Sequence, residues 1–373
     1  MKSRIESSQV PLNDLSRGWI ATSDEVRSGV LRVLESGWYV HGPEHAAFET
    51  ELADFLGARH AVGVANGTDA LALALLAVGC GPGSEIVTAA NAGGYTSVAV
   101  ARIGGVVVYA DVGADGLVTT PETVAAAVGP STRAVVVTHL YGNVADVEAI
   151  VAFCRPLGIA VVEDAAQALG ARSGGRRVGT LGDGAAMSFY PTKNLGAAGD
   201  GGAVVTNDDA IAETARSLRQ YGWGQKYRVE RGQGMNSRLD EIQAAILRVG
   251  LRHLDEMTAR RQGIVERYRG ALAETPARMV SGSTDSFVAH LAVARFPHRE
   301  RAREALAAAG IATDIHYPIP DHRQTGLPSP ARATSLTETE RAAAEILTVP
   351  CFAEMTESEI DRVCDALARA AVA

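Results

Sequence analysis

Seven short apolar runs punctuate the chain between residues 60 and 208: HAVGVA, SEIVTAA, GGVVVYADV, RAVVVTHLYG, GIAVVEDAAQ, AAMSFY and GGAVVTND. None alternates strictly between apolar and polar positions. An alternating strand has one wet face, whereas a strand that is apolar throughout is covered on both, as in a sheet sandwiched between helices. Alanine-rich stretches such as DALALALLAVG and VADVEAIVAFCRPLG lie between the runs and have the spacing of helices. Strands alternating with helices predict an α/β fold on an open, mostly parallel, seven-stranded sheet. Ligands of such sheets sit beyond the carboxyl ends of the strands, so the residues that end each run are where chemistry is expected.

The pattern changes after residue 237. SRLDEIQAAILRVGLRHLDEMTARRQGIVERYRGAL reads as one or two long amphipathic helices, with Ile242, Ala245, Ile246 and Val249 on a common stripe. Short strands (SFVAHLAVARF), a helix (RAREALAAAG) and a proline-marked loop (HYPIPDH) follow. The expected organisation is an N-terminal arm and large domain over residues 1–250 and a smaller α/β C-terminal domain over 251–373.

Composition narrows the function classes. The 373 residues, 47% hydrophobic and 21% charged, suit a folded two-domain protein. A net charge of −8 offers no footprint for nucleic acid. No uncharged run is long enough to cross a bilayer, and MKSRIESSQVPLNDL lacks the apolar centre of a signal peptide, so a cytoplasmic location is expected. Cys80, Cys154, Cys351 and Cys364 are far apart without metal-ligand spacing and read as thiols in a reducing compartment.

One bias matters more. Only three of the 35 basic residues are lysine: Lys2, Lys193 and Lys226. Where arginine serves as the general surface cation, an interior lysine marks a place where a primary amine is needed, because an amine can lose its proton and attack a carbonyl. Lys193 stands in SFYPTKNLGAAGDGGAVVTND, just after the sixth run, among glycines that admit a bulky planar ligand.

Three other strand ends carry candidate chemistry. In VANGTDALALAL, Gly67 and Thr68 open a helix whose free N–H groups suit a phosphate. GIAVVEDAAQALGA brings an apolar strand to Glu163 and Asp164, with Gln167 following; a buried carboxylate needs a partner, and a protonated ring nitrogen would be one. In GQGMNSRLDEIQAA, Asn236 and Ser237 precede a helix that they could cap, or they could reach a phosphate. Ordinary helix capping accounts for each stretch taken singly. Taken together they supply what pyridoxal phosphate requires: an aldehyde-trapping amine, an acid for the pyridine nitrogen and a helix start for the phosphate.

NGTDAL, VEDAAQALGA, SFYPTKNLGAAGDGGAVVTND and NSRLDEIQAA, in this order, resemble the DegT-type nucleotide-sugar aminotransferases, as do GWYVHGPEHAAFE and HYPIPDH. The resemblance implies a fold-type I pyridoxal-phosphate enzyme. Lys193 would then carry the cofactor and shuttle the proton between cofactor and substrate carbons. Asp164 would pair with the pyridine nitrogen and Gln167 would lie near the phenolic oxygen. Gly67, Thr68 and Ser188 would hold the phosphate, helped by Asn236 from a second subunit of a homodimer. The implied reaction moves an amino group from glutamate to a 3-keto or 4-keto 6-deoxyhexose on a nucleotide, with dTDP expected. Family members often carry an aromatic on the cofactor ring where the register here puts Gly93, and Tyr95 is the candidate replacement. Tyr221 and Lys226, near Tyr227 and Arg228, are candidates for the substrate's diphosphate, and Tyr317 and His322 for its sugar. The same family aminates keto-inositols and aminoshikimate-type rings, and a non-catalytic regulatory pyridoxal-phosphate protein is a further alternative. A dehydratase branch with histidine in place of the lysine is disfavoured by Lys193.

Overall fold

The computed structural model describes residues 9–280 and 286–372. All seven runs form strands: β1 His60–Val64, β2 Glu85–Ala89, β3 Val106–Ala110, β4 Thr132–Thr138, β5 Ala160–Asp164, β6 Gly184–Ser188 and β7 Gly202–Thr206. The C-terminal part adds β8 Arg278–Val280, β9 Ala292–Arg295, β10 Arg332–Ala333 and β11 Ile346–Val349. The central sheet has the order β1-β7-β6-β5-β4-β2-β3-β10, and only β7 runs against its neighbours.

That sheet has eight strands, one more than the apolar pattern predicts. The extra strand, β10, is two residues long and lies in the polar stretch SPARATS, where no periodicity can develop. Backbone bonds flanking it, from Ala331 N to Val107 O (2.9 Å) and from Thr334 N to Tyr109 O (3.0 Å), dock it on β3. The Arg332–Glu85 ion pair, at 2.5 Å, fixes it further.

Two-sided coverage is visible within a single strand. Ala134 and Val136 of β4 pack with Leu71, Leu73 and Leu75 of the helix Gly67–Ala77 on one face. Val135 and Val137 pack on the other face with Phe48 and Leu52 of Pro43–Leu56 and with Leu247 and Leu251 of Glu241–Leu272. Each large apolar side chain buried this way contributes roughly 1.5–3 kcal/mol, which makes these runs strands without any polar alternation.

The long amphipathic segment is one helix of 32 residues, Glu241–Leu272. Its first half faces the core under the central sheet, while Ile264, Val265, Tyr268 and Leu272 belong to a separate cluster around β9 and β11. Residue 250 therefore lies inside an element shared by both cores. Val10 from the N-terminal segment joins the second cluster. Ile246 and Val249, with Ile242 at the margin, meet Val26 and Val30 of the helix Ser23–Ser36.

Asn236 and Ser237 do not cap the long helix; its N-cap is Asp240. The start is held instead by the Glu241 carboxylate, which accepts the amides of Gly42 (2.8 Å), Glu44 (2.9 Å) and His45 (2.8 Å). This gives the GWYVHGPEHAAFE segment a structural purpose. The four cysteines are free, and no described helix is long and apolar enough to cross a membrane.

Candidate active site

The carboxyl ends of β4, β5 and β6 and the turns after β1 and β2 border one cavity of about 810 Å³. It brings together Gly67, Thr68, Tyr95, Asp164, Gln167, Ser188, Lys193 and Tyr317 from the sequence candidates.

The two acids that end β5 are separated by the pleat. Consecutive strand residues point to opposite faces, so Glu163 and Asp164 meet different surroundings. Glu163 is fully buried away from the cavity. It accepts the amides of Gly179 (2.9 Å), Leu181 (2.8 Å) and Gly182 (2.9 Å), and pairs with His139 Nε2 at 3.2 Å. Ala145 N donates to His139 Nδ1 at 3.2 Å, which places the imidazole proton on Nε2. Burial alone would raise the Glu163 carboxyl, but His139 and the amides hold it below the usual range. It is a fully partnered structural acid.

Asp164 faces the cavity and is only 5% exposed. Its contacts are sparse: the Ala166 amide at 3.2 Å and Thr96 Oγ1 at 3.3 Å. Burial pushes its carboxyl up, against the pull of the Ala166 amide, Lys193, His139 and Thr96. A buried carboxyl with spare acceptor capacity favours a cationic partner.

Lys193 enters from the loop after β6, where its amide donates to Tyr190 O at 2.8 Å. Burial brings its ammonium group down to about 8, with the Asp164 carboxylate opposing. The next residue anchors the loop: Asn194 Nδ2 donates to Val288 O at 2.8 Å, and its Oδ1 is 3.1 Å from His290 Nδ1. Burial, followed by the influence of Lys193, Arg261 and His316, holds His290 well below its ordinary value, so it is neutral.

The helix Gly67–Ala77 also borders the cavity. Asn66 caps it by accepting Asp69 N on Oδ1 (2.8 Å) and Ala70 N on its carbonyl (3.0 Å). The amides ahead of these, on Gly67 and Thr68, belong to cavity residues at the positive end of the helix dipole. A Cβ on residue 67 would lie 2.7 Å from Ser188 Cβ, so glycine is what lets the helix start approach the end of β6. The Ser188 hydroxyl thereby joins the two amides.

Gln167 is oriented by its neighbours. Its Oε1 accepts the Tyr141 amide at 2.6 Å, leaving Nε2 to donate to Tyr317 Oη at 3.2 Å.

Three groups escaped the sequence reading. Thr138 ends β4 in register with Asp164, lines the cavity and has a buried Oγ1 without a partner. The strand-end rule applied to RAVVVT would have found it. Thr96, next to Tyr95, reaches Asp164, and His290 of the stretch SFVAHLAVARF reaches the Lys193 loop; neither was singled out for chemistry.

Four candidates lie outside this cavity. Asn236 is exposed, bridged to Gln220, and Ser237 beside it accepts the Ala65 amide at 3.0 Å. Tyr221 and Lys226 sit at a small exposed hairpin, Trp223–Gln225 with Arg228–Val229, where Lys226 Nζ is 5.1 Å from the Tyr227 ring centre. His322 does not line it either: its Nε2 lies 2.8 Å from Glu340 Oε1.

Residues 21–368 match the DegT/DnrJ/EryC1/StrS aminotransferase family. The chain belongs to that family. Over 371 residues, this aminotransferase-family chain is 42% identical to the dTDP-3-amino-3,4,6-trideoxy-alpha-D-glucose transaminase of Streptomyces venezuelae, covering 98% of this chain and 97% of the relative. It is 43% identical over 363 residues to the erythromycin biosynthesis sensory transduction protein EryC1 of Saccharopolyspora erythraea, covering 95% and 97% of the two chains. The crystal structure of S. venezuelae DesV in complex with a ketimine intermediate superposes with a TM-score of 0.92 at 40% identity, covering 97% of this chain and 98% of that one. Several relatives are named for a position, and in each it is carbon 3 that bears the amino group or the ketone.

Proposed function

We propose that the protein is a pyridoxal-phosphate-dependent aminotransferase that moves an amino group from glutamate to carbon 3 of a keto-deoxysugar carried on a nucleotide, with dTDP as the carrier. One observation carries the reading: a lysine brought down to about 8 and a sparsely bonded buried carboxyl share one cavity with a helix N-terminus. The residues fit the cofactor. Asp164 has acceptor capacity to spare for a protonated ring nitrogen, and the orphaned Thr138 Oγ1 beside it offers a further polar contact.

Pyridoxal phosphate, when bound, supplies an electron sink that lets the carbon attached to an amino nitrogen lose its proton. Lys193 Nζ would take that proton and return it to the neighbouring carbon. Asp164 would keep the ring nitrogen protonated by accepting its hydrogen bond. The Gly67 and Thr68 amides and Ser188 Oγ would hold the phosphate, and Gln167, fixed by the Tyr141 amide, would orient the phenolic side. Glu163 plays no chemical part because its acceptors are already used.

The functional unit would be a homodimer. Asn236, Tyr221 and Lys226 are exposed and outside their own cavity, as expected of residues that complete the site of a second copy. Carbon 3 is favoured over carbon 4 by the names of the relatives. Incubation of the purified protein with glutamate and a panel of 3-keto and 4-keto nucleotide sugars, with products read by NMR, tests the reading. A 3-amino product is expected; a 4-amino product would overturn the assigned position, and absence of any amine with every sugar would overturn the sugar substrate.

A further inference from the structure

The turn after β2 meets the loop 316–322 at Gly93. This residue has φ +74, and a Cβ built on it would come within 2.9 Å of Tyr317 Cδ1 and Cε1. The tyrosine ring thus takes the space that a side chain at position 93 would fill. It is held on other sides too: Gln167 Nε2 donates to its Oη at 3.2 Å, and Tyr95 meets it edge-on at 5.9 Å between ring centres. The two other tyrosines lining the cavity, Tyr95 and Tyr190, are 49% and 52% exposed, whereas Tyr317 is largely enclosed.

The loop that carries Tyr317 is fastened to the same turn. Asp321, 1% exposed, accepts the Gly94 amide at 2.8 Å and the Ser97 hydroxyl at 2.7 Å. Its own amide donates to Ala90 O at 2.7 Å. Both partners of the Gly93–Tyr317 contact are therefore locked together through one buried carboxyl. A fixed aromatic ring in the wall of a cavity that also holds Lys193, Asp164 and Gln167 is matched to a flat heteroaromatic ligand, since aromatic faces and edges pack favourably.

We propose that Tyr317 is the aromatic wall against which the cofactor's pyridine ring packs, supplied from the C-terminal loop where residue 93 has no side chain, and that Asp321 is the residue that positions it. This rests on the pyridoxal-phosphate reading above. It moves Tyr317 from the sugar to the cofactor and leaves Tyr95 as the ring's edge-on support.

The test compares cofactor-free full-length wild type with Tyr317→Phe, Tyr317→Leu and Asp321→Ala. Each is titrated with pyridoxal phosphate for affinity, and the circular dichroism induced in the bound cofactor's visible band is recorded. Tyr317→Phe keeps the ring and should stay within about twofold of wild type, whereas Tyr317→Leu, apolar but without the ring, should bind about tenfold more weakly and lose most of the induced signal. Asp321→Ala should lose induced signal with Tyr317 intact. Equal affinity and equal signal in wild type and Tyr317→Leu would overturn the assignment, as would a Phe variant as weak as the Leu variant. Failure of the wild type itself to take up the cofactor would instead overturn the underlying reading, and this assignment with it.

Discussion

Lys193 can capture an aldehyde only as the neutral amine, so uptake of pyridoxal phosphate by cofactor-free protein must follow the deprotonation of that side chain. Burial sets this near 8. At pH 7 an amine with a pKa of about 8 is neutral in roughly one molecule in ten, while an exposed lysine near 10.4 is neutral in roughly one in 2,500. The cavity therefore raises the reactive fraction of this amine by roughly 200-fold at neutral pH. Rapid mixing, followed by the cofactor's visible absorption between about pH 6 and 10, should give a rate that rises about tenfold per unit and levels off above about 8. Asp164→Asn removes the carboxylate that opposes the effect of burial, so the inflection should move below that of wild type. An inflection near 10, or one that ignores Asp164→Asn, would refute the pairing of these two groups in one dry cavity.

Other outcomes follow from the same structure. Lys193 has a folded value below its unfolded one, so between about 8 and 10.4 the unfolded chain binds a proton that the folded chain does not, and stability rises with pH across that window. Lys193→Met should therefore stabilise the cofactor-free protein at pH 7 by at most ~3 kcal/mol in urea unfolding, a difference that vanishes above about pH 10.4. Glu163→Gln turns an amide donor toward the Gly179, Leu181 and Gly182 N–H groups or His139, and should lower stability by ~2 kcal/mol or more, while molecules that stay folded keep the wild-type uptake profile. Gly67→Ala forces a methyl group within 2.7 Å of Ser188 Cβ, and cofactor affinity measured by dialysis should fall roughly tenfold with little change in circular dichroism of the backbone.

The seven principal strands were legible because burial on both faces writes itself as uninterrupted apolar runs. β10 was not, because two residues beside β3 are fixed by backbone bonds and the Arg332–Glu85 pair, neither of which leaves a pattern. Lys193 stood out through the near-absence of lysine elsewhere, a signal specific to this arginine-rich chain. The different surroundings of Glu163 and Asp164 could not be read from their order alone: the pleat separates them, but which one faces the cavity depends on packing from helices far away in sequence. His322 looked like Tyr317's companion in HYPIPDH, yet the short helical turn Asp321–Arg323 carries it to Glu340. The Tyr317–Gly93 contact joins positions more than two hundred residues apart, and no local pattern in the sequence marks such a contact.

Because the chain has only three lysines, Lys2, Lys193 and Lys226, covalent attachment can be assigned without ambiguity. Borohydride reduction of the cofactor-loaded protein, proteolysis and mass spectrometry of the peptides would locate the pyridoxyl group. It is expected on the peptide containing Lys193 and on no other; its appearance on Lys226 or Lys2, with Lys193 unmodified, would contradict the central claim.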